Sequence, residues 1–382
     1  MIKNNKINKG LIVLFNFFKE KLLSPIISIF IALFIGALII AALGGNITLA
    51  LSSLFKGAFG SFRNFGQTLL ASTPLLFTGL SFAIAYRVGL FNIGAEGQFY
   101  MGAIAGAVVG LFFPNLPPFF KIFLVLIAGG IMGALWAFIP GFLKVKLELH
   151  EVIVVIMLNK IAIRLTNFLV SVQGPFRLDS TLPATPFVTG NARLNPIFHN
   201  SPMNYGFFIG ILIAAILFIL LWKTIIGYRM RAVGFNKSVA EFASINTGRA
   251  TIIAFMISGS IAGIGGAMEI CSVYGRFYAQ FSPGYGFEGI PVSLLANNHP
   301  IGIILTAILF GALKTGALRM QIIAGTNADL VKVIQGLVIF LIASHFSISA
   351  IRMKRKARKE QHQLKKLEKQ SDEKEKIVEG GV

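Results

Sequence analysis

Apolar runs of about twenty residues recur along this chain from residue 25 to residue 348, and that recurrence limits the fold more than any other feature. Each run can cross a hydrocarbon core of about 30 Å as a helix. In lipid every backbone amide must be satisfied within its own segment, and these runs lack the alternation of barrel strands, so helices are expected. Composition agrees: 13% of the 382 residues are charged, against about 25% in a soluble domain. The expected fold class is an all-α, polytopic transmembrane helix bundle.

Hydropathy places ten segments, at about 25–45, 67–85, 93–113, 121–143, 152–172, 206–222, 250–271, 286–298, 300–318 and 330–348. Pro74 interrupts the second, and the eighth is too short to cross alone and holds Gly289 and Pro291. Broken or re-entrant segments of this kind are tolerated where they are buried in protein or line a cavity. The organisation expected is a cytoplasmic N-terminal segment at 1–24, a membrane domain at 25–348 and a basic cytoplasmic tail at 349–382. The lysine-rich start runs into the first apolar segment without a small-residue cleavage site, so that segment is expected to stay as an anchor.

The net charge of +20 would suggest nucleic acid in a soluble protein. Here the cations cluster at the termini and in internal loops. With the N-terminus inside, 24 of the 35 Lys and Arg residues fall on inner segments and 7 on outer ones. That bias predicts both termini in the cytoplasm of a multi-pass cell-membrane protein, with lipid as a partner for the basic tail and no nucleic acid. The outer 173–205 connection is either a surface for an external partner or a solvated linker.

Catalytic signatures are missing. No GxxxxGK[ST] loop occurs; GALKTG at 311–316 has the wrong spacing and sits in an apolar run. The five histidines have no metal-ligand spacing, and neither HExxH nor GxSxG is present. An enzyme is not expected, nor any metal or cofactor bound by this chain. Cys271 is the lone cysteine, which excludes an intrachain disulfide.

Two stretches carry the functional signal. In YRVGLFNIGAEGQFYMGAIAGA, residues 86–107, Asn92, Glu96 and Gln98 sit among glycines at the edge of an apolar run, and Gly94, Gly97, Gly102 and Gly106 permit close helix approach. A buried carboxylate requires a partner. Glu96 either pairs with a cation such as Arg87 or takes part in the solute path. The second stretch, GYRMRAVGFNKSVAEFASINTGRA at 227–250, is the most polar internal segment. Its middle reads as a short amphipathic helix, with Val239, Phe242 and Ala243 on one side, Lys237 and Glu241 towards the other, and Asn236 or Ser238 as N-cap.

Together "GLFNIGAEGQ" and "RAVGFN…AEFASIN" resemble the permeases of the branched-chain amino acid, simple-sugar and nucleoside class of ATP-binding-cassette importers. The likeness covers nearly all of 25–348 and is strongest to the nucleoside branch that works with basic-membrane-protein-type lipoprotein receptors. The resemblance implies import of a small polar solute, nucleosides first and simple sugars next. It also implies an ATPase subunit that uses the ATP, an extracellular substrate-binding lipoprotein, and a second permease copy or paralogue. The 223–249 loop becomes the coupling element, with docking assigned to Arg231, Gly234, Asn236, Ala240 and Glu241. Lys237 stands where many relatives have proline, and Ser244 where many have glycine.

Other intramembrane polar residues are Asn159, Lys160, Arg164, Glu269, Glu288, Asn297, Asn298 and Lys314, each expected either to pair or to line a path. The broken segment from Pro283 to Pro300, with Glu288, Asn297 and Asn298, is the candidate gate or solute contact. Asn92, Glu96, Gln98 and Asn159 complete the candidate path. The rival reading is an ion-coupled secondary transporter using Glu96, Glu269 and Glu288 as proton or sodium sites.

Overall fold

Polar residues placed at the ends of the apolar runs start the helices. In the computed structural model, which describes residues 30–326 apart from 114 and 179–181 together with a few positions between 330 and 340, six helices begin on a side-chain cap. The caps are Asn46, Ser61, Asn204, Thr224, Asn236 and Asn246, each accepting a hydrogen bond from a backbone N–H in the first turn.

The described residues divide into two units, one containing α1 (Phe30–Ala42) and one spanning Leu43–Val331. In the first, Gly36 of α1 lies against the Ile334 side chain. The larger unit holds α2 (Ile47–Phe59), α3 (Phe62–Tyr86), α4 (Ala95–Leu111), α5 (Pro118–Leu147), α6 (Glu151–Leu169), α7 (Tyr205–Lys223), α8 (Ile225–Phe235), α9 (Lys237–Phe242), α10 (Thr247–Glu269), α11 (Tyr285–Leu295) and α12 (Pro300–Ala324). Six helices, α3, α5, α6, α7, α10 with its π-helical extension, and α12, are long and apolar enough to cross a membrane. The expected segments at 93–113 and 286–298 appear as the shorter α4 and α11, and the described part of 25–45 holds α1. Most of 330–348, the 1–24 segment and the 349–382 tail lie outside the described residues.

Helix α2 was not expected. Its apolar run is only 13 residues long and contains Ser52, Ser53 and Lys56, so no crossing-length window picks it out. It packs on α12, where Gly57 meets Arg319 and Gly316 meets Leu54. Pro74 does not break α3, which runs on through it to Tyr86.

Helix α3 is buried along nearly its whole length and forms the centre of the larger unit. Around it, α10 meets α4 and α5 through a seam of glycines. Gly263 of α10 faces Gly129 and Gly133 of α5, Gly259 faces Gly133, and Gly102 of α4 faces Gly263, all so closely that an added Cβ would overlap backbone. Without a hydrophobic driving force between helices in lipid, such close backbone approach and its dispersion contacts hold the helices together.

At one end, the C-terminus of α3, the start of α8–α10 and the α11–α12 turn converge. At the other, the 173–205 connection is tied to the segment after α10. Thr185 and Val188 donate backbone hydrogen bonds to Phe277 and Gly275, and Ala279 donates to Pro183. Lys121 is buried there and donates to the Thr189 hydroxyl.

Candidate functional site

The candidate path residues separate into groups with different surroundings. Asn92, Gln98 and Asn159 are buried and belong to an internal polar network. Asn92 Nδ2 donates to Ser258 Oγ at 2.7 Å and to Gln98 Oε1 at 3.2 Å, while its Oδ1 accepts from the Gly94 N–H. Ser258 in turn donates to the Ser81 carbonyl at 2.7 Å, linking α10 to α3. Asn159 of α6 accepts from the Gly97 N–H at 2.8 Å and donates to the Ile93 carbonyl. These groups satisfy one another and the backbone around the 87–94 connection.

Glu96 does not pair with Arg87. Its Oε2 accepts the Gly286 N–H at 2.6 Å, so the carboxylate of α4 caps the start of α11, where orphan amides and the positive end of the helix dipole favour an anion. Arg87 instead donates to the carbonyls of Asn297 and Asn298 at 3.2 and 3.0 Å. Asn297 and Asn298 both have positive φ, 53° and 54°, and make the tight turn between α11 and α12. Asn298 Oδ1 also accepts from Ser293. Sequence spacing suggested Arg87 as the partner of Glu96 because both flank one loop. The fold gives each a partner on or beside α11.

Among these residues Glu288 stands apart. It forms an ion pair of 3.1 Å with Lys314 of α12, and both side chains are about 30% exposed. The Lys314 ammonium also sits 4.2 Å from the Tyr285 ring centroid, a cation–π contact. Glu269 is buried in α10. Nearby, Phe99, Tyr100, Tyr274, Phe277 and Tyr278 gather around the buried Phe281 ring.

In the 223–249 loop, α8 and α9 form a compact projection. Gly234 lies directly on the Arg87 carbonyl, where any side chain would overlap backbone. Arg231 stacks over Trp222, Asn236 caps α9 by accepting from the Val239 N–H, and Ala240 is buried. Glu241 folds back to accept from the Thr247 hydroxyl at 2.8 Å, fastening α9 to α10. The outward surface carries Gly234, Asn236 and Glu241 of the expected docking set, all exposed, together with three apolar residues outside that set. Phe235 is 89% exposed, Val239 61% and Phe242 91%. A short helix whose apolar side faces away from its own protein has that side free for another.

Lys237 occupies the first turn of α9, the place where proline is favoured in helices. Ser244, just past its end, has φ of +57°, the region that favours glycine. The two departures noted in the sequence therefore sit where backbone geometry suits proline and glycine. Ser244→Gly should raise the stability of the loop by about 0.5–1 kcal/mol, read as a higher thermal midpoint, and leave transport unchanged.

The chain matches the family model for the permease component of branched-chain amino acid transport systems over residues 64–343. It is 38% identical over 355 residues to the nucleoside ABC transporter permease protein NupB of Lactococcus lactis, covering 91% of this chain and 97% of that protein. It is 36% identical over 337 residues to the guanosine ABC transporter permease protein NupP of Bacillus subtilis, covering 86% and 94%. A glucose ABC transporter permease protein of Haloferax volcanii is 31% identical over 337 residues, covering 85% and 87%. No solved structure gives a significant match.

Proposed function

We propose, from the premise that this chain belongs to the family of permease components of branched-chain amino acid transport systems, that it imports nucleosides as the membrane subunit of an ATP-binding-cassette transporter. The observation that carries the choice of solute is the alignment along almost the whole of two relatives, one a nucleoside and one a guanosine permease. In this reading ATP is bound and hydrolysed by a partner subunit, and this chain binds no cofactor of its own. An extracellular lipoprotein delivers the solute, and a second permease, either a copy or a paralogue, completes the path.

The 223–249 loop is the element that receives the ATPase. Phe235, Val239 and Phe242 form the contact surface, while Arg231, Gly234, Asn236, Ala240 and Glu241 hold its shape. The polarity of the loop and the 24-to-7 charge split support a cytoplasmic placement of this end and of both termini. Glu288, on the half-exposed side of α11, is the candidate path residue with access to solute. Asn92, Gln98 and Asn159 hold the 87–94 connection against α6 and α10, Glu96 holds the start of α11, and Asn297 and Asn298 set the turn that Arg87 fixes.

The test is uptake of labelled guanosine by cells carrying the complete transporter, with unlabelled competitors. Guanosine and other nucleosides should suppress uptake at concentrations where glucose has no effect. Suppression by glucose and none by nucleosides would replace the nucleoside reading with a sugar reading.

A further inference from the structure

The inference that follows rests on the reading of this chain as an importer permease, and begins with α6. One side of that helix, Val155, Asn159, Ala162 and Thr166, is buried against its neighbours. The other side is open along its length, with Ile153 and Met157 more than 60% exposed and Phe168 51% exposed. Lys160 and Arg164 lie on this open side, one helical turn apart. Lys160 is nine residues from each end of the 19-residue helix, which places it about 14 Å from either end at 1.5 Å per residue. That is the middle of the membrane. Among the described residues neither cation has a hydrogen-bond or ion-pair partner.

A lipid-facing surface looks different in the same molecule. On α5, every exposed residue from Phe119 to Phe142 is apolar, Ile131 and Leu135 at mid-helix among them. Lys160 at mid-helix and Arg164 one turn on, about 8 Å from the Leu169 end at 1.5 Å per residue, are unpaired cations of a kind disfavoured in hydrocarbon and found where water or a polar partner reaches them. The depth is also informative. Asn159 bonds the Gly97 amide and Glu96 bonds the Gly286 amide, so Lys160 and the half-exposed Glu288–Lys314 pair lie at neighbouring depths on either side of the start of α4.

We propose that the open face of α6 is a wall of the aqueous solute path, and that Lys160 and Arg164 are solute-binding residues that donate to an edge carrying two adjacent acceptors. A 6-oxopurine offers such an edge in O6 and N7, whereas adenine places a donor beside N7. The pair therefore favours guanosine and inosine over adenosine. Neither residue carries a negative charge, so the solute is read by donation alone at this point of the path.

The test uses single cysteines at 160, 164, 131 and 135 in a Cys271→Ala background, with Cys271 buried in the parent chain. Each variant is expressed with its partner subunits, and only protein that co-purifies with the ATPase is scored. A membrane-impermeant, negatively charged methanethiosulfonate added to intact cells and, separately, to inside-out vesicles should modify Lys160→Cys and Arg164→Cys at least about tenfold faster than Ile131→Cys and Leu135→Cys. Guanosine should slow the modification. Rates at 160 and 164 no faster than at 131 and 135, as for side chains sealed in lipid or against a second permease, would overturn the wall. For the solute contact, Arg164→Gln should lower guanosine uptake by about tenfold to a hundredfold relative to adenosine, the range of one lost bidentate contact. An unchanged guanosine-to-adenosine ratio in Arg164→Gln and in Lys160→Gln would overturn the contact. Wild-type uptake in the same cells reads the nucleoside assignment separately from the labelling.

Discussion

Replacing Phe235 and Phe242 together with aspartate should remove the ATPase subunit from the purified complex and bring uptake to background. These are the two most exposed large apolar side chains among the described residues, 89% and 91%, and both stand on the projection formed by α8 and α9. Aromatic anchors at the centre of an interface are worth about 2 kcal/mol or more each when truncated, and a buried unpaired carboxylate in their place adds its desolvation. Because neither ring is packed into the permease itself, insertion and receptor binding should persist. By contrast, Glu241→Lys removes the Thr247 tie and should weaken recruitment only in part, since α9 keeps its Asn236 cap and the buried Ala240. The measurement is the ratio of ATPase to permease after affinity purification, with uptake recorded in parallel. A wild-type ratio in the double aspartate variant would mean that another surface docks the ATPase.

Gly263→Leu should prevent recovery of folded protein. A Cβ at this position would overlap the Gly129 carbonyl and crowd Gly133, so α5 and α10 could not keep their separation. Overpacking a core costs about 1–3 kcal/mol when side chains can give way. Here backbone opposes backbone on the other helix, and the loss should exceed about 3 kcal/mol by the same reasoning. Gly263→Ala should lower the thermal midpoint less, and Gly190→Ala, where nothing lies within 4 Å, should leave it unchanged. The yield of monodisperse protein in detergent reads all three.

Much of the fold was legible because lipid leaves the backbone few choices. The runs at 67–85, 121–143, 152–172, 206–222, 250–271 and 300–318 became the six long helices, and the glycine and proline interruptions at 286–298 became the short α11. Helix α2 escaped because hydropathy windows look for crossing length, and ITLALSSLFKGAF is half buried by packing on α12 instead.

The site was less legible for two reasons. Partners across the bundle are not encoded in local spacing, so a cation such as Arg87 or a place in the solute path was what the sequence offered for Glu96, and not the Gly286 amide on another helix. Amphipathic reasoning also assumes that an apolar side faces inward. In α9 it faces out, which reverses the meaning of Phe242 and Val239. Lys160 and Arg164 were visible as intramembrane cations, but only the structure shows that they share an open face while Asn159, beside them in sequence, faces α4.

The most direct measurement is uptake by proteoliposomes that contain the purified chain with or without its ATPase, receptor and second permease. Import of guanosine should require the complete set and internal or external ATP on the ATPase side, and imposed proton or sodium gradients should drive none. Gradient-driven guanosine uptake by this chain alone would contradict the importer assignment and restore the ion-coupled transporter.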